Sequence, residues 1–388
     1  MRLHMILPRV EPSEFEVPTA CPYPGCRGKH LELHQTVVEP VKDTGYQAVS
    51  AHRYRCLRWG RTFRVYPQRV THNQTSQRVK GLGVFLYLLG LSYGAVLLTL
   101  EALGVYMARS SVYAVVQAAA EKVPGMKRRA VFAGIRTPAL GGDITSVKCK
   151  GAWLPLGLSV DDTTGLVLTV DQLTAEDADT LKGLLEPIAQ AVDAELLVTD
   201  DADSFKTVAA ELELQHQVCK GHVKRNTETL IKNLEPMVES DQDGSLATLG
   251  LTPEQARHDL QRLAEMILSR RPEEEGELAE IHQRYTDAVP PGPGEKASLT
   301  YRLRLLFRDR WNLWRRLTRH RTWRGPQGET VDGTNNTCER AIGWWVKERS
   351  RTMRGYKRLQ SAVNVSRLLA WCGNYLDRGG ADLASLIA

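Results

Sequence analysis

The spacing of apolar positions divides the chain into stretches of different period. Residues 1–70 are rich in Pro, Cys and His and hold short alternating runs. Tyr54-Arg55-Cys56 and Thr62-Phe63-Arg64-Val65-Tyr66 predict strands, closed by Pro67. Residues 74–123 change to helical spacing, with helices predicted over Ser76–Gly90, Tyr93–Leu103 and Arg109–Val123. Two helices around a short Gly-containing turn have the shape of a helix-turn-helix, with Arg109, Ser110, Ser111 and Tyr113 opening the groove-reading helix. The same pattern equally fits a plain helical bundle between two domains. Over 140–202 the period shortens again. Ala152–Val160 and Leu166–Val170 are β-prone runs around the turn-rich Asp161–Gly165, a hairpin. Glu176–Ala191 is amphipathic, and Leu196-Leu197-Val198-Thr199 is a wholly apolar run into Asp200, as a buried central strand requires. Helix, strand and helix follow over 204–232. Residues 235–330 are almost wholly helical, broken at Pro290-Pro291-Gly292-Pro293-Gly294, and 334–375 are helical again.

One run could be mistaken for a membrane span. Between Lys80 and Glu101 lie twenty uncharged residues, GLGVFLYLLGLSYGAVLLTL, about a spanning length. Gly90-Leu91-Ser92-Tyr93-Gly94 reads as a turn near its middle, so two short buried helices fit better and no membrane partner is expected. Seven scattered cysteines argue against a secreted disulfide framework and for a reducing, cytoplasmic setting. The net charge of +6 would mean little if evenly spread, but Lys296–Arg358 alone carries 17 Lys or Arg against 5 Asp or Glu. The remainder is therefore net acidic. A basic surplus so concentrated attracts a polyanion, DNA or RNA.

Three acids stand out by position. Asp143 is read as opening the first core strand after Gly141-Gly142. Asp200 ends the buried strand, and Glu339 lies in the first turns of a helix beginning near Thr334-Asn335-Asn336. Acids at strand ends and on an adjoining helix can converge at one sheet edge. Phosphodiester cleavage needs an activated nucleophile and a stabilised leaving oxygen, and two divalent ions supply both. Mg²⁺ or Mn²⁺ in that role takes oxygen ligands. Any one of these acids could equally be a cap, a turn residue or an ion-pair partner.

The order of motifs adds to this. Gly142-Asp143, Val198-Thr199-Asp200-Asp201, Cys219-Lys220-Gly221-His222 and Thr334-Asn335-Asn336-Thr337-Cys338-Glu339-Arg340 resemble the DDE insertion-sequence transposases of the Mutator-like, RNase H-fold group. The Asn-Asn-x-x-Glu-Arg helix, followed by Arg349, Arg351 and Gly355, is the most specific part. The resemblance implies an α/β multidomain protein with an RNase H-like core split by an all-helical insertion. Asp143, Asp200 and Glu339 would be the catalytic metal ligands. Asp201 rivals Asp200, since neighbours in an extended chain point to opposite sides. The resemblance also implies a homodimer or higher oligomer on DNA, with transposon ends and target DNA as partners, in a prokaryotic nucleoid setting.

Cys21-Pro22-Tyr23-Pro24-Gly25-Cys26 resembles the first knuckle of a zinc ribbon. The second would fall at Cys56-Leu57-Arg58-Trp59, where Trp59 takes the fourth ligand position. Three thiolates do not close a structural zinc site, and none of His30, His34 or His52 has the spacing to complete it. Cys21, Cys26 and Cys56 therefore predict at most a weak Zn²⁺ site in a degenerate ribbon. Cys219 and His222 fill only half a tetrahedral site and are read as packing beside the carboxylates, with His222 and Arg225 near phosphate. Further DNA contacts are assigned to Arg109, Ser111, Arg340, Arg349, Arg351, Arg354 and Lys357. Trp311, Trp314 and Trp323, interleaved with arginines, read first as core.

The predicted organisation is a ribbon-like region over 1–70 and a helix-turn-helix over 71–125. A first core part follows over 138–232, a helical insertion over 233–330, and a last core part over 331–388. The expected activity is metal-dependent cleavage at transposon ends and strand transfer. The alternatives are a transposase-derived DNA-binding protein without catalysis and an RNase H-like nuclease.

Overall fold

A computed structural model describes residues 5–123, 134–351, 355–376 and 381–382. In chain order the elements are β1 (Met5–Ile6), β2 (Leu31–Pro40), β3 (Ala48–Cys56), β4 (Thr62–Val65), α1 (Gln77–Leu88), α2 (Tyr93–Ala102) and α3 (Arg109–Glu121). Then come β5 (Ala139–Cys149), β6 (Ala152–Asp161), β7 (Val167–Gln172), α4 (Ala178–Val192), β8 (Leu196–Thr199), α5 (Asp203–Glu211) and β9 (Gln215–Val218). The helices α6 (Lys220–Ser240), α7 (Ser245–Thr248), α8 (Pro253–Ser269), α9 (Glu275–Arg284) and α10 (Leu299–Thr322) follow. The chain ends with α11 (Asn336–Ala341), a π-helical turn at Ile342–Lys347, α12 (Glu348–Arg351), α13 (Leu359–Leu376) and β10 (Ala381–Asp382). These form two compact units, one of Met1–Gly125, Ser146–Leu154 and Gly343–Ala388, the other of Met126–Thr145 and Pro155–Ile342.

In the first unit β2, β3 and β4 make an antiparallel sheet. The uncharged run of twenty residues divides into α1 and α2. Gly90, at φ 105°, ends the first helix in a conformation that costs glycine little. Ser92 restarts the chain by accepting the Ala95 N–H at 3.1 Å. Val79, Val84, Tyr87, Val96, Leu100, Val112 and Val116 are buried, and α13 packs on α3. Among the described residues no helix is long and apolar enough to cross a membrane.

The second unit is built on a mixed sheet in the order β7-β6-β5-β8-β9. Its β6–β7 pair is antiparallel, and β5–β8 and β8–β9 are parallel. A two-residue turn, Lys150 and Gly151 at φ 50° and 85°, joins β5 to β6. So short a link permits only an antiparallel hairpin. The amphipathic α4, capped by Asp177 on the Thr180 N–H at 2.8 Å, buries Leu181, Leu184, Leu185, Ile188 and Val192. Leu184 sits where Gly157 has no side chain, since a Cβ there would meet Leu184 Cδ2 at 2.3 Å. After β9 the chain becomes helical, and α6–α10 enclose a core of their own around Tyr285, Phe307 and Trp314. Trp323 and Val331 then bring the chain back onto Ala139, Leu196 and Val198 of the sheet.

One expected placement changes. Asp143 does not open its strand: β5 begins at Ala139, and Gly141 and Gly142 lie within it. These glycines read as a break in sequence, but packing requires the first of them. A Cβ on Gly141 would come within 2.9 Å of Val160 Cγ2 and 3.0 Å of Cys338 Sγ.

Candidate metal and nucleic-acid site

The strands bring two of the acids towards one end. Ala139, Leu140 and Gly141 of β5 pair in parallel register with Leu196, Leu197 and Val198 of β8. Two residues beyond the last pair stand Asp143, within β5, and Asp200, just past the end of β8. Adjacent strands lie about 4.8 Å apart, so this register brings the two acids towards one end of the β5–β8 pair. Asp143 Oδ1 accepts the Ile144 N–H at 2.8 Å. Asp200 Oδ1 accepts the Ala202 N–H at 3.1 Å, just before α5. Asp201 is engaged otherwise, for Lys206 Nζ lies 2.8 Å from its Oδ1 and 2.9 Å from Asp203.

The third acid is delivered by α11. Asn335, fully buried, donates from Nδ2 to the Gly142 carbonyl at 3.2 Å and from its backbone N–H to Cys219 Sγ at 3.3 Å. This ties the start of the Glu339 helix to the residue before Asp143 and to the head of α6. The Lys220 N–H adds a bond to Gly333 O at 2.9 Å. On α6, His222 Nε2 stands 3.6 Å from Glu339 Oε1. The buried Cys338 thiol is pushed well above its ordinary value, by burial first and then by the charges of Asp143 and Asp162. One buried sulfur thus senses carboxylates from β5 and from the β6–β7 turn, with Glu339 a further contributor.

Asp162 is the member that the sequence reading missed. Burial, then the charges of Asp332 and Asp161, push its carboxyl up to about 7, and its Oδ1 is buried without a hydrogen-bond partner. Its neighbour Asp161 is spent on the turn, accepting from Thr137 Oγ1 at 2.8 Å and the Thr163 N–H at 2.9 Å. A paired Asp-Asp in a turn was the available signal, but the contact comes from α11, where Thr337 Oγ1 donates to Asp162 O at 3.2 Å.

Asp143, Asp200 and Glu339 offer oxygen donors here, with the His222 imidazole beside Glu339. That set fits a hard divalent cation. Arg340, one residue after Glu339, is exposed, as is Arg225 on the turn of α6 after His222.

The cysteines form a second candidate site. The Sγ atoms of Cys21, Cys26 and Cys56 lie within 4.8 Å of one another, and all three residues are buried. Cys26 and Cys56 stand 3.7 Å apart. Knuckle-like bonds shape the loops, Cys26 N–H to Tyr23 O at 3.0 Å and Gly60 N–H to Cys56 O at 2.7 Å. The Trp59 N–H draws the Cys56 thiol below its ordinary value. Trp59 itself is 41% exposed, with the Arg61 guanidinium 5.3 Å from its ring. No histidine joins the group among the described residues; His52 instead stacks on Phe15 at 3.8 Å. The donors fit a thiophilic ion with three protein ligands.

The expected DNA contacts divide. Arg109, Ser111 and Lys357 are exposed in the first unit. Arg349 is a correction. It is 4% exposed, donates to Gly90 O and Leu91 O at 3.0 Å each, and lies 4.3 Å over the Tyr87 ring. Its guanidinium holds the α1–α2 turn, where the sequence had placed phosphate. The side chain of Arg351 and all of Arg354 lie outside the described residues. Trp314 and Trp323 are buried core, and Trp311 stacks on His282 at 5.3 Å.

No protein-family model matches the chain, and no curated protein does. Among solved structures it is similar to the HTLV-2 integrase catalytic core domain in complex with magnesium, at 23% identity over 28% of this chain and 77% of that one, with a TM-score of 0.19. The simian T-cell lymphotropic virus intasome in complex with PP2A regulatory subunit B56 gamma gives 19%, 42%, 62% and 0.20 in the same order. The Drosophila P element transposase strand transfer complex gives 10%, 75%, 77% and 0.24. At these TM-scores the likenesses carry no argument, and the functional reading rests on the residues.

Proposed function

We propose that this chain is a DNA transposase of the DDE type, with Asp143, Asp200 and Glu339 as ligands of two Mg²⁺ or Mn²⁺ ions. One observation carries the reading. Parallel pairing of β5 with β8 runs towards Asp143 and the end of β8 before Asp200, and Asn335 bonds the start of the Glu339 helix to the Gly142 carbonyl. The mixed sheet and the self-contained helical region between Asp200 and Glu339 support an RNase H-like core split by an insertion. The three-cysteine sheet region supports a degenerate ribbon, and α2–α3 a helix-turn-helix.

The ions would activate the attacking oxygen and stabilise the leaving one, first for water at the element's end and then for the freed 3′-hydroxyl on target DNA. This chain's residues do the rest. The three carboxylates hold the charge balance, and Asn335 fixes the helix that brings Glu339 to the sheet. Asp200 takes the second ligand role over Asp201, whose carboxylate Lys206 neutralises. His222, Arg225 and Arg340 grip the phosphates beside the scissile bond.

The test is Mg²⁺- or Mn²⁺-dependent cleavage and joining of DNA carrying the element's terminal repeats, with Asp143→Asn and Glu339→Gln as variants. Both should bind DNA and neither should cut it. Activity surviving both substitutions overturns the site. Cutting without joining would make the chain a nuclease, and binding without cutting by the unaltered chain would make it a DNA-binding protein.

A further inference from the structure

The first unit holds a cavity of about 880 Å³ that the carboxylate chemistry does not use. Its volume is in the range of small-ligand sites, about 300–1,000 Å³. Four tyrosines line it, Tyr87, Tyr93, Tyr113 and Tyr356. Tyr87 and Tyr93 stack with centroids 4.5 Å apart and planes 7° from parallel, and Tyr113 meets Tyr93 edge-on at 5.6 Å. Tyr87 and Tyr356 are buried and back the wall, whereas Tyr93 and Tyr113 are half-buried and present ring surface.

The remaining charge is of one sign. Arg109, Arg349, Lys357 and Arg358 line the cavity, and none of its described lining residues is acidic. Arg349 is committed to the α1–α2 turn and braces the tyrosine wall. Arg109, Lys357 and Arg358 are exposed at the rim, with Arg358 5.7 Å from the Tyr113 ring. Tyr113 Oη is itself held by Ser361 Oγ at 2.9 Å. The wall is therefore aromatic and pre-set, and the mouth cationic.

A ligand that matches has a flat unsaturated ring and a negative charge a few bonds away. A nucleotide has both. We propose that this cavity takes one unpaired nucleotide of a DNA strand, its base against Tyr93 and Tyr113 and its phosphate at Arg109, Lys357 and Arg358. Base–aromatic stacking is sequence-tolerant, so the site would read strand state and not sequence. The source, DNA, rests on the transposase reading; the chemistry of the cavity does not.

The test uses the full chain and two labelled duplexes, one fully paired and one with a single unpaired 2-aminopurine. Free dAMP is the competitor. The unpaired duplex should bind more tightly and its 2-aminopurine fluorescence should fall on stacking. Tyr93→Leu should weaken unpaired binding by roughly 5- to 100-fold, the span of one base–aromatic stack, and leave the paired duplex unchanged. Tyr93→Phe, which keeps the ring, should restore it. Equal affinity for both duplexes, or a Tyr93→Leu loss shared by both, overturns the inference and leaves the transposase reading standing. No DNA bound at all overturns both. Displacement by dAMP at concentrations below those of the unpaired strand assigns the cavity to a free nucleotide and overturns the DNA source.

Discussion

The two candidate metal sites are built in opposite ways. The three sulfurs already lie within 4.8 Å of one another, while among the described residues the three carboxylates make no group that tight. The difference is electrostatic before it is geometric. A protonated thiol carries no charge, so Cys21, Cys26 and Cys56 can pack as small apolar groups in a buried cluster with no ion present. Carboxylates at neutral pH repel, by roughly 1–4 kcal/mol for a pair at 4 Å near a protein surface. A carboxylate site must be held together from outside, by strand register and by Asn335. The same repulsion shows nearby at Asp162, where burial first and then the charges of Asp332 and Asp161 lift the carboxyl to about 7. A finished cluster of donors is thus no sign of catalysis, and a loose one no sign against it.

The largest effect expected is on the loose site. Asp143→Asn or Glu339→Gln should lower single-turnover cleavage by roughly 10³-fold or more, since several kcal/mol of transition-state stabilisation is at stake and each 1.36 kcal/mol is tenfold. Thermal unfolding without metal should be unchanged or slightly raised, because a repelling charge is removed. A large loss of stability instead would mean that the acid was structural.

The tight site should respond in the reverse sense. Cys56→Ser should weaken Zn²⁺ or Cd²⁺ binding on the order of a hundredfold, a quarter share of the ten or more kcal/mol of a four-ligand site. Trp59→Cys would supply the fourth thiolate and should strengthen Zn²⁺ binding and raise the zinc-dependent melting temperature. Titration against a chromophoric chelator reads both. Zinc affinity unmoved by Trp59→Cys would show that the loop cannot bring a fourth sulfur into place.

Asn335→Ala sharpens the comparison, since it removes the outside support and no donor. Losing a buried amide donor costs about 1–3 kcal/mol. Cleavage should fall through a weakened response to Mg²⁺, and raised metal concentration should recover part of it. A loss that no metal concentration recovers would separate Asn335 from the site.

Much of this was legible in sequence where the signal is local. Leu196–Thr199 is a buried strand because three apolar residues and a β-branched threonine run unbroken into an acid, and the structure places β8 there. The cysteine group was expected from the resemblance of Cys21–Cys26 to a zinc-ribbon knuckle, and the three sulfurs do lie together. What failed was set by distant partners. Gly141 and Gly142 read as a break because nothing nearby says that Val160 and Cys338 will press on Gly141. Arg349 read as a phosphate contact because it lies in a basic strip, whereas the Gly90 and Leu91 carbonyls that take it are far back in the chain. Asp162 takes its contact from Thr337, on a helix near the other end of its unit.

The smallest effect concerns how the Asp200 corner is held. Thr199 Oγ1 bonds both Asp200 O and His216 Nε2, each at 2.9 Å. Burial, with the charges of Arg316 and Lys206, drives the His216 imidazole down to about 3, far below its ordinary 6.5. The folded ring therefore stays neutral where the unfolded one takes a proton. His216 contributes stability that is fully present above pH 6.5 and is lost as pH falls from there towards 3, at up to about 1.4 kcal/mol per unit for one proton. Between pH 7 and 5.5 the loss from this group should be about 1 kcal/mol, read as a shift in the urea midpoint. His320, pulled down to about 4 by burial, titrates in the same window and remains in both proteins. The difference between the unaltered chain and His216→Gln isolates His216. Gln can still bond Thr199 Oγ1 but cannot titrate, so its midpoint should fall less over the same interval. Parallel curves would mean that the folded chain binds the His216 proton as readily as the unfolded one, so that burial does not hold this ring neutral.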